Sequence, residues 1–270
     1  MSSPFGKGWK PDLDEHVHEC RLAGASRCEA VFPKYGYGMR TAAMPSAYDG
    51  LSRFCDVRDQ RFSSACVGFT VAGAAQTRLL RRGYNVGRFS PLVPYAYGRQ
   101  AEGTYKNMPL PDDGSHPFLV MSGVSMFGLV VEALWPFGDD YQKKVTQEVP
   151  FDVFAAASQF RVTAFSRIED VGKARVDACK AALLDDHPVL LGMQVGREFE
   201  AYQRGLGPVG IETGDTGGHM TYLVAYEDDG EVFVGCNSWG RDYGDGGLYR
   251  IHRSKIEHAS TTDLYDFEVA

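Results

Sequence analysis

Long apolar runs are missing from this sequence. No segment approaches the ~20 residues that a membrane-spanning helix needs. The opening MSSPFGKGWKPDLDEH lacks an apolar stretch of signal-peptide length. A soluble protein with no membrane partner is therefore expected, cytoplasmic or exported without a conventional signal peptide. Positive charge is scarce as well: 28 Lys and Arg stand against 35 Asp and Glu, a net charge of −7. Nucleic-acid binding requires a basic face, so no such partner is expected. Cysteines number six, at positions 20, 28, 55, 66, 179 and 236, with no CxxC pair. That argues against a zinc site, and no other metal or organic cofactor is expected. With Cys66 kept as a thiol the remaining cysteines are odd in number, which suits a reducing compartment, although a single bridge such as Cys20–Cys28 stays open. There is no internal repeat and no low-complexity tract. What is present, 44 % hydrophobic and 12 % aromatic residues over 270 positions, suits a packed core in one large domain or two close lobes.

Residues 1–43 are rich in Gly, Pro and charge and show little periodicity, so they read as an extended arm with aromatic anchors Trp9, Phe32, Tyr35 and Tyr37. The segment CVGFTVAGAAQTRLLRR predicts a helix, with Ser63 and Ser64 as N-cap candidates and Gly83 placed for the C-terminal turn. Its small residues Gly68, Ala72, Gly73 and Ala75 predict close packing on several sides. Further helices are expected over SPLVPYAYGRQ, MSGVSMFGLVVEALWPF and DACKAALLDD. VLLGMQV, MTYLVAYED, EVFVGCNSW and GLYRIHR then read as strands separated by DDG and GRDYGDGG turns. His187–Pro188 reads as a turn before a strand, Asp112–Asp113–Gly114 as a turn rather than a calcium loop, and His16, His18, His116, His252 and His258 as surface residues.

Cys66 stands at the start of its helix, where the positive end of the helix dipole favours a thiolate. Gln60, six residues upstream, is placed to donate its amide toward a cleft. With the Cys66 N–H it makes a candidate oxyanion hole, in which losing one donor typically costs ~10²–10³ in rate. Gly217–Gly218–His219 opens one strand and Asn237–Ser238–Trp239–Gly240 closes the next, so the Asp228–Gly230 turn brings His219 and Asn237 side by side. Asn237 then orients the imidazole, Trp239 screens the bond between them, and the second ring nitrogen is left for the thiol. Gly218 and Trp239 are also candidate substrate-binding residues.

Three ordered segments resemble the papain-like cysteine peptidases. DQRFSSACVGF is similar to the family's Q-x-x-x-x-x-C-W-x-F, GGHMTYLVAY to its histidine segment, and CNSWGRDYGDGGLYRI to N-S-W-G-x-x-W-G-x-x-G-Y. ALWPF is similar to a W-P-Y element of many relatives. The likeness spans about Met44 to Ile251, and the GKGWKPDL opening resembles the short N-terminal segment of the bacterial, xylellain-like branch. It implies an α+β fold of two lobes, one helical around a central nucleophile helix and one β-barrel-like, with a cleft between. The corresponding division is an arm over 1–43 and a peptidase domain over 44–270, with lobes at about 55–150 and 151–270. It implies peptide-bond hydrolysis through a thioester, with Cys66 as nucleophile, His219 as acid and base, Asn237 as orienter and Gln60 for the oxyanion, acting on a peptide or protein. The alternatives are a transamidase or peptide ligase using the same residues, and a non-catalytic binding or inhibitory module. Ser63 replaces the family's cysteine, Val67 its aromatic after the nucleophile and Tyr243 its second tryptophan. Such enzymes usually carry a long helical propeptide. Here the arm is expected either to pack along the cleft and restrict access or to cap the fold inertly.

Overall fold

The computed structural model describes residues 5–13, 44–102 and 110–270. Its centre is helix α1, Cys66–Arg81, of which every residue but Leu80 is buried. Small side chains allow this. A Cβ on Gly68 would come within 2.3 Å of the Pro91 carbonyl, and one on Gly73 within 3.0 Å of the Tyr222 ring. The helix ends in a Schellman turn: Gly83 at φ 87° donates to Leu80 O and Tyr84 to Leu79 O. Its start differs from expectation. Ala65 is the N-cap and no side chain caps it, because Ser63 Oγ donates instead to Gln60 O at 2.7 Å and the Ser64 amide to Asp112 Oδ1.

Helices α2, Leu92–Ala101, and α3, Pro117–Phe127, pack beside α1. The apolar run after Phe127 does not continue the helix. Gly128 adopts φ 95°, and Leu129 and Val131 form isolated bridges with Phe160 and Phe89. An uninterrupted apolar run is helical or extended according to its partners, and here the partners are extended. Helix α4, Gly172–Leu184, begins earlier than DACKAALLDD suggests.

A six-stranded antiparallel sheet faces the helices. Its strands are β1 Val162–Arg167, β2 Val189–Val195, β3 Gly217–Glu227, β4 Val232–Cys236, β5 Leu248–His252 and β6 Thr261–Val269, in the order β1-β6-β2-β3-β4-β5. β1 and β6 carry no clear strand signal. In β6 the buried positions include Asp263 and Asp266, which break the apolar alternation. One core lies between the sheet and α1–α3, with Leu190, Met220, Tyr222, Tyr265 and Phe267 contributing from the strands. A second core, on the opposite face, joins α4 to Leu191, Leu223, Phe233, Tyr249 and Trp239.

Candidate active site

The first turn of α1 is pinned to β3 beside His219. Thr70 Oγ1 donates to Met220 O at 2.9 Å, and the Met220 N–H donates in turn toward the Cys66 thiol. Cys66 therefore sits against the residue that follows His219. Its side chain is fully buried. Burial pushes the thiol up to about 12, against smaller opposing effects from the amides of Met220, Gly8, Val67 and Cys66 itself. The thiolate expected from the helix terminus alone is thus overridden in this arrangement, because desolvation outweighs the helix end.

His219 Nε2 and Asn237 Oδ1 are 2.8 Å apart. Oδ1 also accepts the Ser238 N–H at 2.8 Å, so it is an acceptor and the imidazole proton lies on Nε2. Nδ1 is buried with no hydrogen-bond partner, a rare condition that leaves a lone pair for chemistry. The Trp239 ring stacks on the imidazole at 4.5 Å and 25°, and Phe199 packs edge-on against both rings. Burial pushes His219 down to about 4, opposed by Asn237 and assisted by the charge of Lys7. Thiol and imidazole are both neutral here.

Gln60 is oriented by its neighbours. Its backbone N donates to Ser238 O at 2.7 Å, and its Oε1 accepts from Ser238 Oγ at 2.5 Å. This turns Nε2 toward the cleft, but both amide hydrogens are engaged, one by Ser63 O at 2.8 Å and the other by Gly6 O at 3.1 Å. In this arrangement the carbonyl of Gly6 takes the hydrogen that Gln60 was expected to donate toward a cleft.

Residues 5–13 run as a strap along this whole line. Phe5 stacks on Trp239 at 4.3 Å, and Trp239 Nε1 donates to Gly6 O at 3.1 Å. Trp9 N donates to Gly218 O, and Lys10 N to Ser115 O, while Gly8 O accepts from Ser115 N. Lys7 pairs with Glu200 at 2.5 Å. Both candidate substrate-binding residues, Gly218 and Trp239, touch the strap.

Sequence reasoning missed Gly6, Gly8, Ser238, Phe199 and Asp263. The G-x-G spacing before Trp9 was the available signal for a segment passing close to another backbone. His116 is not a surface residue: it is buried, with Nδ1 2.7 Å from Pro11 O. His187 lies before β2 as expected and pairs with Asp266 at 2.5 Å. Cys55, Cys66, Cys179 and Cys236 are buried thiols, whereas Cys20, Cys28, His16 and His18, and with them the proposed bridge, lie outside the described residues. No helix among the described residues is long and apolar enough to cross a membrane.

The model of the papain family cysteine protease matches residues 125–265, which include His219 and Asn237 and begin after α1. Solved structures share the fold. Xylellain, a cysteine protease from Xylella fastidiosa, superposes with a TM-score of 0.78 at 21 % identity, covering 99 % of this chain and 97 % of its own. Digestive procathepsin L 3 of the Tenebrio molitor larval midgut gives 0.68 at 17 %, covering 94 % and 88 %. The Carica candamarcensis cysteine protease CMS1MS2, in complex with E-64, gives 0.60 at 18 %, covering 83 % and 98 %. Fold and family match together define a cysteine peptidase, a hydrolase. The chain belongs to the papain family of cysteine proteases.

Proposed function

We propose that this chain hydrolyses peptide bonds with Cys66 as nucleophile, His219 as general acid and base, Asn237 as the residue that orients His219, and Gln60 Nε2 with the Cys66 N–H as oxyanion donors. The observation that carries this reading is the 2.8 Å bond from His219 Nε2 to Asn237 Oδ1, which leaves Nδ1 as a buried, unpartnered base. The thiol proton passes to Nδ1 as sulfur attacks the substrate carbonyl. The resulting imidazolium protonates the leaving amine, and a water deprotonated by Nδ1 then hydrolyses the thioester.

Residues 5–13 stand in the way of that reaction. The Gly6 carbonyl holds the Gln60 amide, and Gly8 crosses directly over Ser64, two residues before Cys66. We read the arm, 1–43, as the gate of a peptidase domain over 44–270. Substrate enters only after the strap lifts, which exposes Gln60 Nε2 and returns water to Cys66. The test is a full-length chain with Gly8→Ala, treated with a thiol-directed peptidyl epoxide and mapped by peptide mass. Alkylation confined to Cys66 and lost in a Gly8→Ala/His219→Ala double variant is the expected result. Peptide turnover that survives Cys66→Ala would overturn the assignment.

A further inference from the structure

We propose that the seat of Trp9 is the pocket that selects the substrate, and that it takes a tryptophan side chain. The inference rests on reading the cleft as a peptidase site.

Gly192 on β2 pairs with Met220 and Gln194 pairs with Gly218. Gly192 and Gly218 are therefore diagonal neighbours on one face of the sheet, and their missing side chains leave a bare patch. The indole of Trp9 lies on it. A Cβ on Gly192 would come within 2.5 Å of Nε1 and 2.7 Å of Cε2. A Cβ on Gly218 would come within 3.0 Å of Cε3 and 2.2 Å of the Trp9 carbonyl oxygen. The main chain around the ring is held between Gly218 and Ser115 by hydrogen bonds that any extended peptide can repeat.

The chemistry at the end of the ring narrows the choice. Nε1 donates to Asp263 Oδ2 at 2.9 Å, and Asp263 is fully buried. Its charge is already answered, because Arg167 Nη2 donates to Oδ1 at 2.8 Å. The other carboxylate there, Asp12, belongs to the strap and leaves with it. A cationic side chain would bring an unanswered charge into a paired, dry site. The Asp12 amide also donates to Oδ2, at 3.1 Å, and leaves with the strap, so phenylalanine would fill the patch but return no side-chain donor to Oδ2. A flat side chain with one neutral N–H replaces Trp9 group for group.

The experiment uses full-length Gly8→Ala protein, whose strap seats less firmly, and a peptide mixture randomised at every position, with cleavage sites read by mass spectrometry. Tryptophan should be enriched about tenfold or more over phenylalanine and over arginine at one fixed position relative to the cut. Cleavage without that enrichment, or with arginine preferred, overturns the proposal. If nothing is cleaved, the peptidase reading fails, and binding decides the pocket separately. The labelled peptide FGKGWKPDL should then bind the same protein about tenfold tighter than its Trp→Phe and Trp→Arg forms, and equal binding overturns the proposal. In the same background Gly192→Ala should move the preference toward small side chains. An undiminished preference for tryptophan in that variant would also refute the seat.

Discussion

Gly8 passes so close to Ser64 that a Cβ on Gly8 would lie 1.8 Å from the Ser64 carbonyl oxygen. The strap thus crosses the segment before Cys66 with no room for any side chain at that point. Alanine at position 8 is expected to unseat it. Overpacking costs of ~1–3 kcal/mol correspond to about a 5- to 150-fold rise in the open population. The rate of Cys66 alkylation by iodoacetamide, followed by mass spectrometry, should rise by that order over wild type. An unchanged rate would show that the strap does not limit access.

Seating of the strap should weaken as pH rises. Asp12 is pushed up to about 7 by burial and by the charge of Asp263, while its bonds from Tyr265 and the Phe118 amide and the charge of Arg167 oppose the shift. A carboxyl whose pKa is raised on seating stabilises the seated state fully below its ordinary value near 4. That contribution is lost as pH climbs through about 7. Relative to Asp12→Asn, whose seating carries no such titration, the Cys66 alkylation rate of wild type should therefore rise between pH 4 and 7. A ratio that stays flat over that range would remove Asp12 from the control of seating.

Asn237→Ala removes the acceptor that holds His219 Nε2. An orienting residue acts on the base, so kcat should drop by roughly 10- to 100-fold with KM little changed. The assay is turnover of a fluorogenic peptide in the Gly8→Ala background. A rise in KM at constant kcat would assign Asn237 to substrate binding instead.

Lys255 and Glu212 form a buried pair at 2.9 Å, and Glu212 Oε1 accepts the amides of Glu198 and Phe199. The same turn supports Phe199 beneath His219. Breaking a buried pair from one side typically costs ~3–5 kcal/mol. Lys255→Met should lower the urea midpoint accordingly, and the double variant Lys255→Met/Glu212→Gln should recover part of the loss. A midpoint within error of wild type in the single variant would mean the pair is not worth its burial.

Much of the site was legible in local pattern. Cys66 begins a helix whose small residues announce burial, and His219 and Asn237 flank a hairpin whose turn is visible as Asp228–Gly230. β6 was not legible, because Asp263 and Asp266 occupy buried positions where alternation predicts apolar residues. The run from Leu129 was misread because an apolar segment has no period of its own to distinguish a bridge from a helix.

Chain order and residue type thus set the helix that presents Cys66 and the hairpin that pairs His219 with Asn237, since each depends on neighbours close along the chain. The state of those groups is another matter. A helix terminus favours a thiolate by a local argument, yet burial in the surrounding core pushes the Cys66 thiol up to about 12, against the smaller opposing effects of the Met220 and Gly8 amides. Trp9 and Asp263 meet across 254 positions, and no periodicity links them. Solvation depends on everything that covers a group, whichever part of the chain supplies it, so protonation and pocket chemistry emerge only when distant segments pack together.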